Sequence, residues 1–160
     1  MRDVFKFNVQ AVPILIVDDD EDCRQLIRDA IEEGHAGRPA PEVHQVSSGE
    51  EALLFLRREG EYSDAPRPGL VLMDIEMPGM GGQEALRTIR RERRFADIAV
   101  VMMTGVTDDG QKRLAMANGA NSYTNKPTDA ETFMRTVVCT ADYWLRIHQF
   151  PARAGVSEVA

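Results

Sequence analysis

The sequence predicts a doubly wound α/β sandwich, a parallel sheet covered by helices on both faces, and three observations carry that prediction. Short apolar runs, partly β-branched, recur at residues 12–17, 43–46, 70–73, 98–103 and, weakly, 122–125. Amphipathic stretches separate them, and strict alternation of strand and helix implies parallel strands joined by right-handed crossovers. At 160 residues the chain has the length of one domain with a single sizeable core.

Each element follows from its local pattern. The runs VPILIV, LVLM and IAVVMM are almost continuously apolar, which marks strands buried on both faces. Residues 21–33 place Leu26, Ile27, Ala30 and Ile31 on one face of a helix, and residues 50–58 do the same with Ala52, Leu53 and Leu56. A third helix begins near Gly82 and carries Ala85, Leu86 and Ile89, and a fourth spans residues 110–117. The last starts at Asp129 or Ala130, where Asp129 can cap the first turn, and runs to about His148. Residues 60–69, with Pro66 and Pro68, form a surface loop, and the tail after Pro151 frays.

Composition narrows the function. A formal net charge of -7 leaves no basic excess to neutralise phosphates, so direct nucleic-acid binding is disfavoured. No apolar run approaches the roughly 20 residues of a membrane span, and the first ten residues mix Arg, Asp, Lys and Asn. A cytoplasmic protein without membrane contact is expected. Cys23 and Cys139 stand far apart with no patterned partners, which predicts two small core residues and neither a disulfide nor a zinc site.

Ligands of open α/β sheets collect at the carboxyl ends of the strands. Asp18 and Asp19 end the first strand here, Asp74 the third, Thr104 the fourth and Lys126 the fifth, so all share one edge. Three converging carboxylates repel one another unless a hard cation neutralises them, and Mg2+ suits a small oxygen-lined site. The expected ligands are Asp19, Asp74 and the backbone carbonyl near Glu76, with Asp18 acting through water. A carboxylate in that setting can attack phosphorus and form an acyl phosphate, which makes Asp74 the nucleophile. Lys126 can pair with the phosphoryl group, and the Thr104 hydroxyl can donate to another of its oxygens. Taken singly, each residue has a plainer reading. The run Asp18-Asp19-Asp20 can cap a helix, Asp74 can sit in a turn before Pro78, Lys126 in a solvated loop, Thr104 at a strand end, and Tyr123 half-buried. Their joint placement at strand ends separates the two readings.

Four motifs stand in one order: IVDDD at residues 16–20, LMDIEMPGMGG at 72–82, VVMMTG at 100–105 and GANSYTNKP at 119–127. On these the sequence resembles the receiver domain of two-component response regulators (CheY-like), over about residues 14–138. The resemblance implies a flavodoxin-like (βα)5 fold with strand order 2-1-3-4-5, Asp74 as phospho-acceptor, Asp18 and Asp19 as the acidic pair, and Lys126 as the family lysine. It further implies Thr104, with Gly105 beside it, as the switch hydroxyl, Tyr123 as the switch aromatic, and a cis peptide before Pro127. A phosphoryl group on Asp74 would attract Thr104, let Tyr123 turn inward, and repack the face around the fourth helix and fifth strand. Such a protein is a phospho-acceptor rather than an enzyme with a separate substrate. Its partner would be a sensor histidine kinase or a histidine phosphotransfer protein. Glu76, two residues past the acceptor, adds a carboxylate that can influence water attack on the acyl phosphate or is a plain exposed side chain.

The expected organisation is an N-terminal extension over residues 1–10, the receiver over 11–138, and an extension of the last helix with its tail over 139–160. About thirty residues follow Pro127, which suggests a stand-alone receiver. The segments EGEYSDAPRPG at 59–69 and DYWLRIHQFP at 142–151 resemble the small receivers associated with bacterial phytochrome kinases. Tyr143, Trp144, Ile147 and Phe150 are candidates for a homodimer interface; alternatively the aromatic residues fold back as a lid on their own domain. Three rivals are weaker. An aspartyl phosphatase of the haloacid-dehalogenase type wants its acidic motif after the first strand. A receiver-like module without phosphate chemistry would lack one of the residues named above. A nucleotide-binding domain would carry a Gly-rich loop where this chain is acidic.

Overall fold

Five strands form: β1 (Ile14–Val17), β2 (Val43–Val46), β3 (Leu70–Asp74), β4 (Ala99–Thr104) and β5 (Ser122–Asn125). In this computed structural model, whose described residues are 12–34, 41–105 and 109–148, they pair in parallel in the order β2-β1-β3-β4-β5. The helices are α1 (Glu21–Gly34), α2 (Gly49–Arg57), α3 (Gly82–Arg91), α4 (Asp109–Ala117) and α5 (Ala130–Asp142). Five βα units and the predicted strand order are therefore present. The extension over residues 1–10, Phe150 and the tail after Pro151 lie outside the described residues, as does the side chain of Ile147.

Period-two alternation in the buried strands builds two cores. Leu15, Val17, Val71, Met73, Val100 and Met102 face one side, where α2, α3 and α4 supply residues such as Leu53, Leu86 and Ala115. Ile14, Ile16, Leu70, Leu72 and Val101 face the other, against Ile27 and Ile31 of α1 and Phe133 and Val137 of α5. Each such side chain contributes about 1.5–3 kcal/mol on burial, so the sheet is held from both faces. Side-chain caps start three helices: Asp20 accepts from the Cys23 N–H at 3.2 Å, Ser48 from Glu51 at 3.1 Å, and Asp129 from Thr132 at 3.0 Å.

Departures from the predicted boundaries have local causes. β1 begins at Ile14, two residues late, because Pro13 has no N–H for the ladder; its carbonyl accepts from Gly69 at 3.0 Å. β4 begins after Ile98, whose N–H closes a 3-10 turn onto Phe95 at 3.2 Å. Of the two cysteines expected in the core, Cys23 is half-buried, its thiol pushed up to about 12 by burial, but Cys139 is exposed. Cys139 faces outward from α5, whose inward positions are taken by Phe133, Val137 and Ala141.

The end of the last helix corrects a second expectation. After Asp142 the chain takes one π-helical turn, Tyr143–Ile147, closed by the His148 N–H onto the Tyr143 carbonyl at 2.8 Å. The wider turn carries Trp144 and Leu145 into the α1/α5 core, where they are 6% and 0% exposed. Trp144 is thus packed within its own domain, against the His148 ring at 4.5 Å, and leaves almost no surface for the interface expected of it. Tyr143, 46% exposed, stays on the surface.

The turn from β3 into α3 leaves no room at Gly82. A Cβ there would lie 2.2 Å from the Asp74 carbonyl oxygen and 2.8 Å from the Ile75 Cα. Gly82→Ala is expected to destabilise the protein by about 2–3 kcal/mol by forcing that backbone apart, read as a lower urea midpoint at unchanged slope.

Candidate functional site

The strand order reverses direction between β1 and β3, and the loops there diverge to leave a crevice at the carboxyl edge. Asp18 follows β1, Asp74 closes β3, Thr104 closes β4 and Lys126 follows β5, so the sheet brings together the residues placed there from sequence. Asp18, Asp19 and Asp74 each offer a carboxylate oxygen within 4.8 Å of the others. Asp18 and Thr104 are 1% exposed and Asp74 is 9%, whereas Asp19 is exposed.

Hydrogen bonds hold the cluster in place. Asp18 Oδ1 accepts from the Asp20 N–H at 3.0 Å, and Asp74 Oδ1 accepts from the Glu76 N–H at 3.3 Å. The Lys126 ammonium donates to Asp18 Oδ2 and lies 3.3 Å from Asp74 Oδ2, and its own backbone N–H donates to the Thr104 carbonyl at 2.7 Å. Arg24 reaches back one turn and a half and donates to the Asp18 carbonyl at 2.6 Å. Sequence reasoning missed Arg24; the signal available was a basic residue in the second turn of a helix whose first turn is acidic.

Charge in the site is poised. Burial pushes the Asp74 carboxyl up to about 6, opposed by Lys126 and reinforced by the charge of Asp18. Burial also works against the Lys126 ammonium, but the hydrogen bond to Asp18 and the charges of Asp74 and Asp18 outweigh it and hold the group protonated above its usual range. Three carboxylates against one ammonium leave excess negative charge, and the donors are all oxygen. That set fits a hard divalent cation.

The remaining predicted residues surround this core. Tyr123 on β5 is half-buried against the α2/α3/α4 core, with the Lys112 ammonium 5.3 Å from its ring centre. Gly105 is exposed, with open space where a Cβ would point. The Glu76 side chain is exposed and stands outside the three-carboxylate cluster. The peptide bond before Pro127 is trans, as are all those of the described residues, against the cis bond expected there. Trans is the lower-energy isomer of an X–Pro bond by about 0.5–1 kcal/mol, and here Lys126 makes its contacts from it.

Residues 14–138 match the family model of the response regulator receiver domain. The chain belongs to that family. This receiver is 37% identical over 143 residues to the probable methanogenesis regulatory protein FilR2 of Methanothrix harundinacea, covering 88% of each chain. It is similar in structure to the phosphorylated cyanobacterial phytochrome response regulator RcpA, with a TM-score of 0.81 and 29% identity over 88% of this chain and 99% of that one. The Mn2+-bound form of response regulator Rcp1 gives a TM-score of 0.81 at 26% identity, over the same shares of the two chains. Rcp1 of Synechocystis aligns over 139 residues, 87% of this chain and 92% of its own.

A carboxyl raised on folding costs stability wherever it must ionise. Asp74 titrates near 6 in the folded receiver and near 4 unfolded, so its penalty is absent below about pH 4 and grows as pH rises through 6. In EDTA at pH 7.5, Asp74→Asn is expected to raise the unfolding free energy by about 2 kcal/mol, and the gain should vanish near pH 4. Urea titrations of both proteins across that range check it.

Proposed function

We propose that this receiver accepts a phosphoryl group on Asp74 from the phosphohistidine of a sensor histidine kinase or a histidine phosphotransfer protein. The observation that carries the reading is the Lys126 ammonium set between the Asp18 and Asp74 carboxylates at the carboxyl edge of the sheet. One oxygen of Asp74 bonds to phosphorus as the bond to the donor imidazole nitrogen breaks, and the electron pair leaves with that nitrogen. Lys126 then turns from Asp18 and Asp74 toward the phosphoryl oxygens, and the Thr104 hydroxyl donates to another of them, beside the open backbone of Gly105.

Asp18, Asp19 and Asp74 would hold a Mg2+ ion, with the backbone carbonyl near Glu76 as a further ligand and Asp18 acting through water. Its contribution there is to offset charge on the carboxylates and the transferred oxygens. Drawing Thr104 toward Asp74 frees space for Tyr123, and the α4–β5 face repacks into a new binding surface. The chain acts on no other substrate; it turns over its own acyl phosphate. The likeness to RcpA supports a phytochrome-type kinase as the phosphodonor. Among the described residues no helix is long and apolar enough to cross a membrane, and the site of action in this reading is the cytoplasm.

Incubation with Mg2+ and acetyl phosphate should add one phosphoryl mass to the wild type and none to Asp74→Asn; equal labelling of both proteins, or of neither, overturns the reading. A homodimer also belongs to this proposal, now resting on Tyr143, the exposed aromatic at the end of α5. Light scattering after size exclusion should give a dimer for the wild type and a monomer for Tyr143→Asp, and a wild-type monomer would refute it.

A further inference from the structure

Five arginines fall within residues 87–94, at the carboxyl end of α3 and the 3-10 turn that follows, and Arg57 and Arg58 close α2 beside them. Three of the seven serve the fold. Arg57 and Arg94 flank Glu92 at 2.6 and 2.7 Å, and Arg90 donates to the carbonyls of Phe95 and Gly119. The other four, Arg58, Arg87, Arg91 and Arg93, are exposed and form no ion pair among the described residues.

Cations at helix carboxyl ends offset the helix dipole, and a solvated basic face would be the plain account. Two observations exceed it. Four unpaired arginines stand together in a chain whose net charge is -7. The second is the backbone of Arg58. α2 closes with the Arg58 N–H on the Phe55 carbonyl at 3.2 Å and the Glu59 N–H on that of Leu54 at 3.0 Å, which puts Arg58 at φ 58°. Glycine takes that position at no steric cost, and α4 closes in the same way on Gly119 at φ 99°. Among the described residues Arg58 is the non-glycine residue with a left-handed φ. A long basic side chain at a position where glycine is more stable points to a use outside folding.

We propose that the arginines at the carboxyl ends of α2 and α3 form a docking surface for an acidic polypeptide segment. Guanidinium groups match carboxylates with paired hydrogen bonds and stay charged at every physiological pH. Exposed Leu54, one turn before Arg58 on α2, adds an apolar contact. Each helix runs back against its strand, so this surface lies at the opposite end of the sheet from Asp74. A nucleic acid fits less well, because a long polyanion would run beyond the patch onto a surface that is negative overall, whereas a short Asp- and Glu-rich segment stays within it.

Fluorescence anisotropy with a labelled Glu- and Leu-containing acidic peptide tests this on the full chain. The wild type should bind in a salt-dependent way, and Arg58→Gly with Arg93→Gln should weaken binding roughly tenfold, the loss of two surface ion pairs. Arg28→Gln with Arg135→Gln removes the same charge elsewhere and should change binding by less than about twofold. Arg58→Gly alone should weaken binding while raising the thermal midpoint by a few degrees, about what relief of a left-handed side chain gives. The proposal fails if the wild type does not bind, if the control pair loses as much, if Arg58→Gly lowers the midpoint, or if a DNA oligonucleotide binds more tightly than the peptide.

Discussion

The ammonium of Lys126 lies between two carboxylates that the chain delivers from strands far apart in sequence, and the carboxyl edge depends on it. Asp18 and Asp74 are almost fully buried. Without a cation between them their repulsion and desolvation would open the crevice between β1 and β3. Lys126 supplies that charge from β5 across the width of β3 and β4. Its backbone N–H on the Thr104 carbonyl ties the end of β5 to the end of β4 by main-chain geometry.

This explains why so much of the site was legible in the sequence. Strand ends are set by where continuous apolar runs stop, and Asp18, Asp74 and Thr104 each stand at such a stop, whereas Lys126 follows the short polar strand β5. Parallel topology then carries all four to one edge. What could not be read is what depends on helix phase and on contacts between elements. Cys139, expected in the core, and Trp144, a candidate for a dimer interface, lie on the same helical segment, and apolar character alone does not say which of them faces the sheet. A π turn after Asp142 sends Trp144 inward, and the helix face already filled by Val137 and Ala141 leaves Cys139 outside. The charge pattern of α1 marked Arg24 only weakly, because its target is a carbonyl oxygen, which every residue has.

Charge is laid out on the same axis as the fold. Acidic groups gather where strands end, and arginines gather where α2 and α3 end, because helices that return antiparallel to their strands place their carboxyl termini at the far edge. The close turn at Gly82 links these halves: the backbone of Asp74 and Ile75 rests directly on the first residue of α3. A displacement of the acceptor loop therefore moves the start of a rigid helix whose other end carries the arginines.

Trp144 is the single tryptophan of the chain, and it is buried between α1 and α5. Thr104, Tyr123 and α4 belong to the opposite side of the sheet or to its edge. Intrinsic emission from this protein is thus an optical probe of the wrong hemisphere for switching. It reports whether the α1/α5 layer is intact, and a phosphorylation-driven rearrangement of α4 and β5 would be spectrally quiet unless a second indole were introduced on that side.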